Sequence, residues 1–376
     1  MRRQLHLAHD YNFAKKITIS LVILIAIPII IIGGYVLFLQ LNYYRIDDFQ
    51  ELCIINQQKN TIEIGKEYTA MTYNIGFGAY DHGFSFFMDK GLMKNGAKVQ
   101  GKYGKAKDEG TILKNTYGSA NIIEKYSPDF CILQEVDSAS TRSYFVNQKQ
   151  IIESKFTNYA NIFGNNFHSV YLCYPISDPH GSVQAGLLTL SRHKISKATR
   201  RSYPVDESFI TKFFDLDRCF VITRISTNNN KELILINSHM SAYDEGGIIR
   251  RQQIDMLKQV LADEYEKGNY VIVGGDFNHA LCGTLDIFDS QQEIPEWVSV
   301  MNDEDIPEHF KIVEAKNLTE VPTCRSTDIP YTKGTNYMAV LDGFIVSDNI
   351  EAEAENIDTD FMFSDHNPVM MKFTLK

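Results

Sequence analysis

"VIVGGDFNHA", residues 271–280, carries Val271, Ile272 and Val273 into a glycine pair and then into Asp-Phe-Asn-His. The aliphatic run predicts a strand covered on both faces, and Gly274-Gly275 predicts its end. Asp276 and Asn278 stand two residues apart, and in extended backbone that spacing turns both side chains the same way. Two oxygen-bearing groups aimed at one point suit a divalent cation or a phosphate. A strand-end Asx turn would use the same residues. The choice rests on what the other strands deliver.

Other strand-like runs end in the same manner. "MTYNIG" offers Asn74, "ILQEVD" offers Glu135, "INSHMS" offers His239, and "SDHNPV" offers Asp365 and His366. Taken singly, Asn74 reads as a turn cap, Glu135 as a solvated strand end, and His239 as a core histidine. Asp365-His366 alone would simply open a turn. Taken together, polar residues at the ends of so many apolar strands match the way α/β enzymes present a site. Further strands are predicted in "QAGLLTLSR", "CFVITRIST", "LDGFIVSD" and "NPVMMKFTL", and helices around 117–125 and 247–267. Ile254, Leu257 and Leu261 give the second helix one apolar face.

The chain has 376 residues, 44% of them hydrophobic, which predicts a packed core and excludes disorder. A net charge of −10 advertises no nucleic-acid surface. The six cysteines are scattered without a C-x-x-C pair, a pattern of neither a zinc site nor a disulfide-stapled miniature fold. Residues 17–39, "ITISLVILIAIPIIIIGGYVLFL", hold no charge and are long enough to cross a hydrocarbon core of ~30 Å. A cleaved signal peptide would have a shorter apolar region ending in small residues. Arg2, Arg3, Lys15 and Lys16 precede the run, and only Arg45 follows it closely. The positive-inside rule therefore predicts a single-pass protein of the cell membrane, N-terminus cytoplasmic and the large domain outside. The organisation so read is a tail at 1–16, a transmembrane helix at 17–41, a polar stalk at 42–66 and one domain at 67–376.

In their order, these motifs resemble the endonuclease/exonuclease/phosphatase superfamily. The resemblance runs from about Tyr68 to the C-terminus. It includes "GLLTLSRHKI" at 186–195, "RRQQIDML" at 250–257 and "LDGFIVSD" at 341–348. It implies a four-layer α/β sandwich: two mixed β-sheets packed face to face with helices outside, here preceded by one transmembrane helix. It implies Glu135 as the main metal carboxylate, with Asn74 and Asp365 near the same ion, usually Mg²⁺ and sometimes Mn²⁺ or Ca²⁺. Hard oxygen donors suit such ions independently. The resemblance further implies that Asp342 orients His366, which takes a proton from attacking water or supports the phosphate as imidazolium. Asp276 is the alternative base. Asn278 and His239 would donate to the phosphoryl oxygens.

The substrate is read from additions to that pattern. Arg142, just after the Glu135 strand, is placed to fork onto a phosphate or to make a surface ion pair; Arg325 stands similarly before the Asp342 strand. Between Asn74 and Glu135 lies a long insertion, 78–110, mixing Phe84, Phe86, Phe87 and Met88 with lysines. It reads either as a solvated loop or as a surface that rests on a membrane or an anionic substrate. The expected function is a membrane-anchored, metal-dependent phosphoesterase on a membrane-proximal substrate, a lipid head group or small phosphoester favoured over nucleic acid. An extracytoplasmic nuclease and a non-catalytic binding module are the alternatives.

Overall fold

The computed structural model describes residues 2–242, 244 and 247–376, with the backbone alone for 2–12 and 14. The chain divides after Tyr44 into a helical unit and a second unit, Arg45–Lys376. The first is helix α1, Arg2–Asn42, with Pro28 inside it. Within α1, Lys15–Asn42 is long and apolar enough to cross a membrane. Its 28 residues extend about 42 Å at the usual helical rise. From Arg2 onward, the predicted tail is thus continuous with the helix.

In the second unit the strands are β1 (Gln50–Glu51), β2 (Glu67–Asn74), β3 (Phe130–Asp137), β4 (Ala160–Leu172), β5 (Gly181–Ser191) and β6 (Ile195–Ser202). They continue with β7 (Cys219–Ser226), β8 (Glu232–His239), β9 (Tyr270–Asp276), β10 (Phe310–Ile312), β11 (Asp342–Ser347), β12 (Ile350–Asn356) and β13 (Val369–Leu375). One sheet has seven strands in the order β1-β6-β7-β8-β9-β11-β10, the other six in the order β12-β13-β2-β3-β5-β4. Both are mixed: β8 runs parallel to β9 and β2 parallel to β3, among antiparallel neighbours.

Alternation along each strand builds the layers. Tyr68 and Ala70 of β2 join the core between the sheets, with Ile132, Leu187, Leu235 and Ile272. Met71 and Tyr73, on the other side of β2, pack instead under the helices α2 (Glu109–Tyr126) and α3 (Gln148–Lys155), against Ala120, Ile123 and Ile152. Helix α4 (Ile248–Glu266) covers the seven-stranded sheet with Ile254, Leu257 and Leu261. Each such buried side chain contributes about 1.5–3 kcal/mol. This is the four-layer α/β arrangement the sequence predicts.

Three local readings are corrected. The glycine pair does not stop β9, which runs through to Asp276. Its role is proximity: a Cβ on Gly275 would stand 1.9 Å from the Ser238 carbonyl, and one on Gly274 2.6 Å from Ile132 of the facing sheet. The 42–66 segment is no free stalk. Gln50 and Glu51 pair with β6, Ile55 and Ile62 bridge to Asn161 and Thr227, and Leu52 and Ile62 are buried. Arg45 already ion-pairs with Asp217 at 3.0 Å. The apolar residues here, a short run at Leu52–Ile55 and then Ile62, fill gaps along sheet edges in stretches too short to show a periodicity. The insertion is likewise no solvated loop. Phe84 and Phe87 are buried, and Phe77, Tyr80, Phe84 and Phe86 meet edge-on.

The sheets are joined at their polar ends by a buried amide pair. Gln134 Nε2 donates to Asn237 Oδ1 at 2.8 Å, and Asn237 Nδ2 reaches back to the Leu133 and Leu188 carbonyls at 3.2 and 3.3 Å. Replacing Asn237 by Ala strands these buried groups. We expect a stability loss of about 1–3 kcal/mol in denaturant titration of the full chain in detergent. A loss too small to resolve would mean that the bridge contributes nothing.

Candidate active site

Register brings the predicted residues to one rim. In the parallel pairs, Asn74 lies opposite Gln134 and His239 opposite Asp276, while Asp342 faces Asp276 from β11. The ends of β2, β3, β8 and β9 therefore open on the same side of the sandwich. At Glu135 the β3–β5 register shifts, and the residue takes φ 55°. Such a bulge re-aims a side chain at the cost of strain, and it swings Glu135 toward the rim. Asn278 also sits at positive φ, 51°, with its N–H donated to Asp276 Oδ1 at 2.9 Å.

His366 is held between carboxylates. Its Nδ1 is 2.7 Å from Asp342 Oδ2, and its Nε2 is 3.7 Å from Asp276 Oδ2. Burial alone would lower its pKa. Asp342, with Cys324, Asp276 and Asp365, outweighs burial and raises it well above the ordinary imidazole value. His239 is pushed the opposite way. Burial, then Arg218, His366 and Arg142, keep it well below that value, so it is neutral at pH 7. Its Nε2 lies 3.5 Å from Asp276 and 4.0 Å from Glu135. The two histidines thus meet the pocket in different charge states, His366 as imidazolium and His239 neutral. Of the two roles left open for His366, taking a proton from water or supporting the phosphate as imidazolium, the raised pKa favours the second.

The carboxylates at the rim also fit a cation. Burial raises the Glu135 pKa, Arg142 opposes this, and Asp365 pushes it further up. Burial raises Asp365 as well, with His366 and Arg325 opposing. Buried acids that destabilise each other's charge call for a positive partner. Asp276, Asp342 and His366 also offer ligand atoms within 4.8 Å of one another. There, however, Asp342 and His366 are already bonded to each other, and the group reads better as a proton relay. Asn74 stands beside these carboxylates. Its Oδ1 accepts from Gly76 N–H at 3.0 Å, and its Nδ2 donates to Asp276 and Glu135 at 3.0 and 3.3 Å. It positions carboxylates.

Around the rim lies a pocket of about 530 Å³, reached by Glu135, Arg142, His239, Asp276, Asn278, Asp365 and His366. Asn278 Nδ2 donates to the Met240 carbonyl at 2.8 Å. Arg142 forks onto Asp137 at 2.8 and 3.1 Å and lies 3.9 Å over the Phe77 ring, so it is neither a surface pair nor a free phosphate fork. Sequence reasoning missed Asn166, 3.5 Å from His239 Nδ1, and Cys324, 3.6 Å from His366 Nε2. Neither stands at the end of an apolar run, so no pattern marked them.

Residues 71–366 match the family model described as the Endonuclease/Exonuclease/phosphatase family. The chain belongs to that family and is a hydrolase acting on ester bonds. Solved structures share the fold at low identity. An endonuclease/exonuclease/phosphatase from Beutenbergia cavernae is 14% identical, with TM-score 0.53, the match covering 82% of this chain and 72% of that one. Caenorhabditis elegans TDP2 is 16% identical, with TM-score 0.52, covering 83% and 76%. D. rerio TDP2, solved with a single-strand DNA product, is 14% identical, with TM-score 0.50, covering 82% and 99%. No curated protein matches by sequence.

The histidine assignment gives a pH signature. Because the folded pKa of His366 is raised, its contribution to stability is fully present below the unfolded value of ~6.5 and is lost as pH rises through the folded pKa. In the metal-free protein, Asp342→Asn should lower the His366 pKa in NMR titration and abolish that component. An unmoved pKa would disprove the coupling.

Proposed function

We propose that this chain is a membrane-anchored, divalent-metal-dependent phosphoesterase that hydrolyses a membrane-proximal phosphoester with water. The observation that carries the reading is the meeting of Glu135, Asp365, Asp276, His239 and His366 at one pocket. Glu135 and Asp365 would hold the ion, with Mg²⁺ favoured over Mn²⁺ or Ca²⁺ by the all-oxygen donors. When bound, that ion supplies charge stabilisation to the phosphoryl oxygens. Asp276 is the base: it lies between the two histidines, fixed by Asn74 at 3.0 Å, and can accept the proton of the attacking water. His366, held as imidazolium by Asp342, and the neutral His239 donate to the phosphoryl oxygens beside Asn278.

The pocket's walls support a small or lipid-borne substrate. Phe77, Phe86, Phe167, Leu172, Phe214 and Trp297 make them apolar, and the charges in the lining are mixed, Asp206, Asp215 and Asp244 against Arg142, Arg218 and Arg325. A long polyanion gains less from a mixed lining than from a basic one. α1 supports attachment to a bilayer, and only Tyr43 and Tyr44 separate it from Arg45. The second reading is a nuclease. The one observation favouring it is fold similarity to a D. rerio TDP2 solved with a single-strand DNA product.

The reading is tested with full-length protein. Glu135→Gln should raise the Mg²⁺ requirement by more than the roughly 10–100-fold typical of second-layer changes and nearly abolish turnover. Full activity in this variant would remove Glu135 from the site. Wild-type protein should hydrolyse vesicle-presented phospholipid or a small soluble phosphodiester faster than single-stranded DNA, and the reverse order selects the nuclease. The protein should also remain with membranes after alkaline washing; its release would refute the anchor.

A further inference from the structure

Two guanidinium groups near the proposed cation site are both buried but unequally neutralised. Arg142 is 5% exposed and its fork is filled by Asp137. Arg325 is 1% exposed and lines the same pocket. Among the described residues no carboxylate makes an ion pair with it. Among the same residues its Nε–H has no acceptor, its Nη1 and Nη2 reach only the Ser326 and Asp81 carbonyls, at 3.4 and 3.3 Å, and the Tyr331 ring lies 5.2 Å from the guanidinium. Burial pulls its pKa down, and the more distant charge of Asp365 offsets that only in part.

The backbone fixes where this cation stands. Arg325 N–H donates to the Asp365 carbonyl at 3.1 Å, and Cys324 bridges to His366. The guanidinium is therefore carried on a strand registered directly against Asp365-His366. The insertion closes the opposite side. Phe86 N–H donates to the Thr327 carbonyl at 2.8 Å, and Phe86, Met88 and Asp89 line the pocket.

A buried cation with unfilled donors is costly unless something anionic completes it. The planar fork of arginine matches two oxygens of one phosphate. Asp365, the strongest attracting charge, already serves the cation site. We propose that Arg325 grips the scissile phosphate of the substrate, donating from Nε and Nη to two non-bridging oxygens. This inference rests on the phosphoesterase reading. Of the two arginines whose sequence positions suited a phosphate fork, it gives the task to Arg325, because Asp137 already occupies Arg142.

The probe is inorganic phosphate, added to the Mg²⁺-loaded full chain in detergent micelles. The Arg325 Nε–H resonance, assigned by its disappearance in R325K, should shift and saturate as phosphate is added. Calorimetry should give a phosphate affinity lowered about tenfold or more in both R325K and R325Q. The KM for a small phosphodiester should rise by more than kcat falls, with the melting temperature of R325K unchanged. An unmoved resonance at saturating phosphate, or wild-type phosphate affinity in R325K, overturns the proposal. The titration needs no turnover. Phosphate bound through Arg325 by a chain that hydrolyses no phosphoester would support the grip while rejecting the proposed reaction.

Discussion

The hydrogen bond from Gln134 to Asn237 is the constraint on which the site depends. Neither sheet alone contains a complete set of polar strand ends. Glu135 follows Gln134 directly, and His239 lies two residues beyond Asn237, so this one contact between sheets fixes how far apart those side chains open. Because both amides are fully buried, sliding one sheet past the other would strand polar groups in the core, a penalty that aliphatic packing alone would not impose. Hydrophobic burial holds the layers together, but it tolerates small shifts. The amide bridge selects one alignment.

That alignment concentrates charge. Acidic groups and two histidines lie within a few ångströms, largely out of water, and each environment is tuned by its neighbours. Asp342 Oδ2 bonds His366 Nδ1 directly, so its carboxylate fixes the ring and its charge together. Among the described residues His239 has no carboxylate as close, and burial dominates. Asn74, Ser364 and the Gly76 N–H form the scaffold behind them: Ser364 Oγ donates to the Asn74 carbonyl at 2.8 Å. The excess of buried negative charge makes the rim a natural seat for a cation and for the positively charged arginine beside it.

Much of this was legible in the sequence because strand ends are local objects. An aliphatic run followed by Asp276 and Asn278, or by Asp365 and His366, states where the backbone leads and what it carries. What escaped was set by tertiary contact. The bulge at Glu135 depends on its pairing with β5. Arg142 became a filled fork only because Asp137, five residues away, turned inward with it. The segment before Glu67 looked like a spacer because its one apolar run, Leu52–Ile55, is short and set among polar residues. The aromatic insertion gave a composition but no partner, and its packing against the segment after Arg325 could not be read from either stretch alone.

The hydrogen bonds of Asn74 carry one more consequence, for how the enzyme comes into being. That single amide touches Glu135, Asp276 and His366, which lie 61, 202 and 292 residues further along the chain. Loops of such length close slowly, so these contacts form late in folding. β13, which follows His366 almost at once, inserts between β12 and β2, so the sheet bearing Asn74 is incomplete until nearly the whole chain is available. A chain truncated before Asp342 can bring Glu135, His239 and Asp276 together but lacks the Asp342–His366 pair and the strand that completes the sheet.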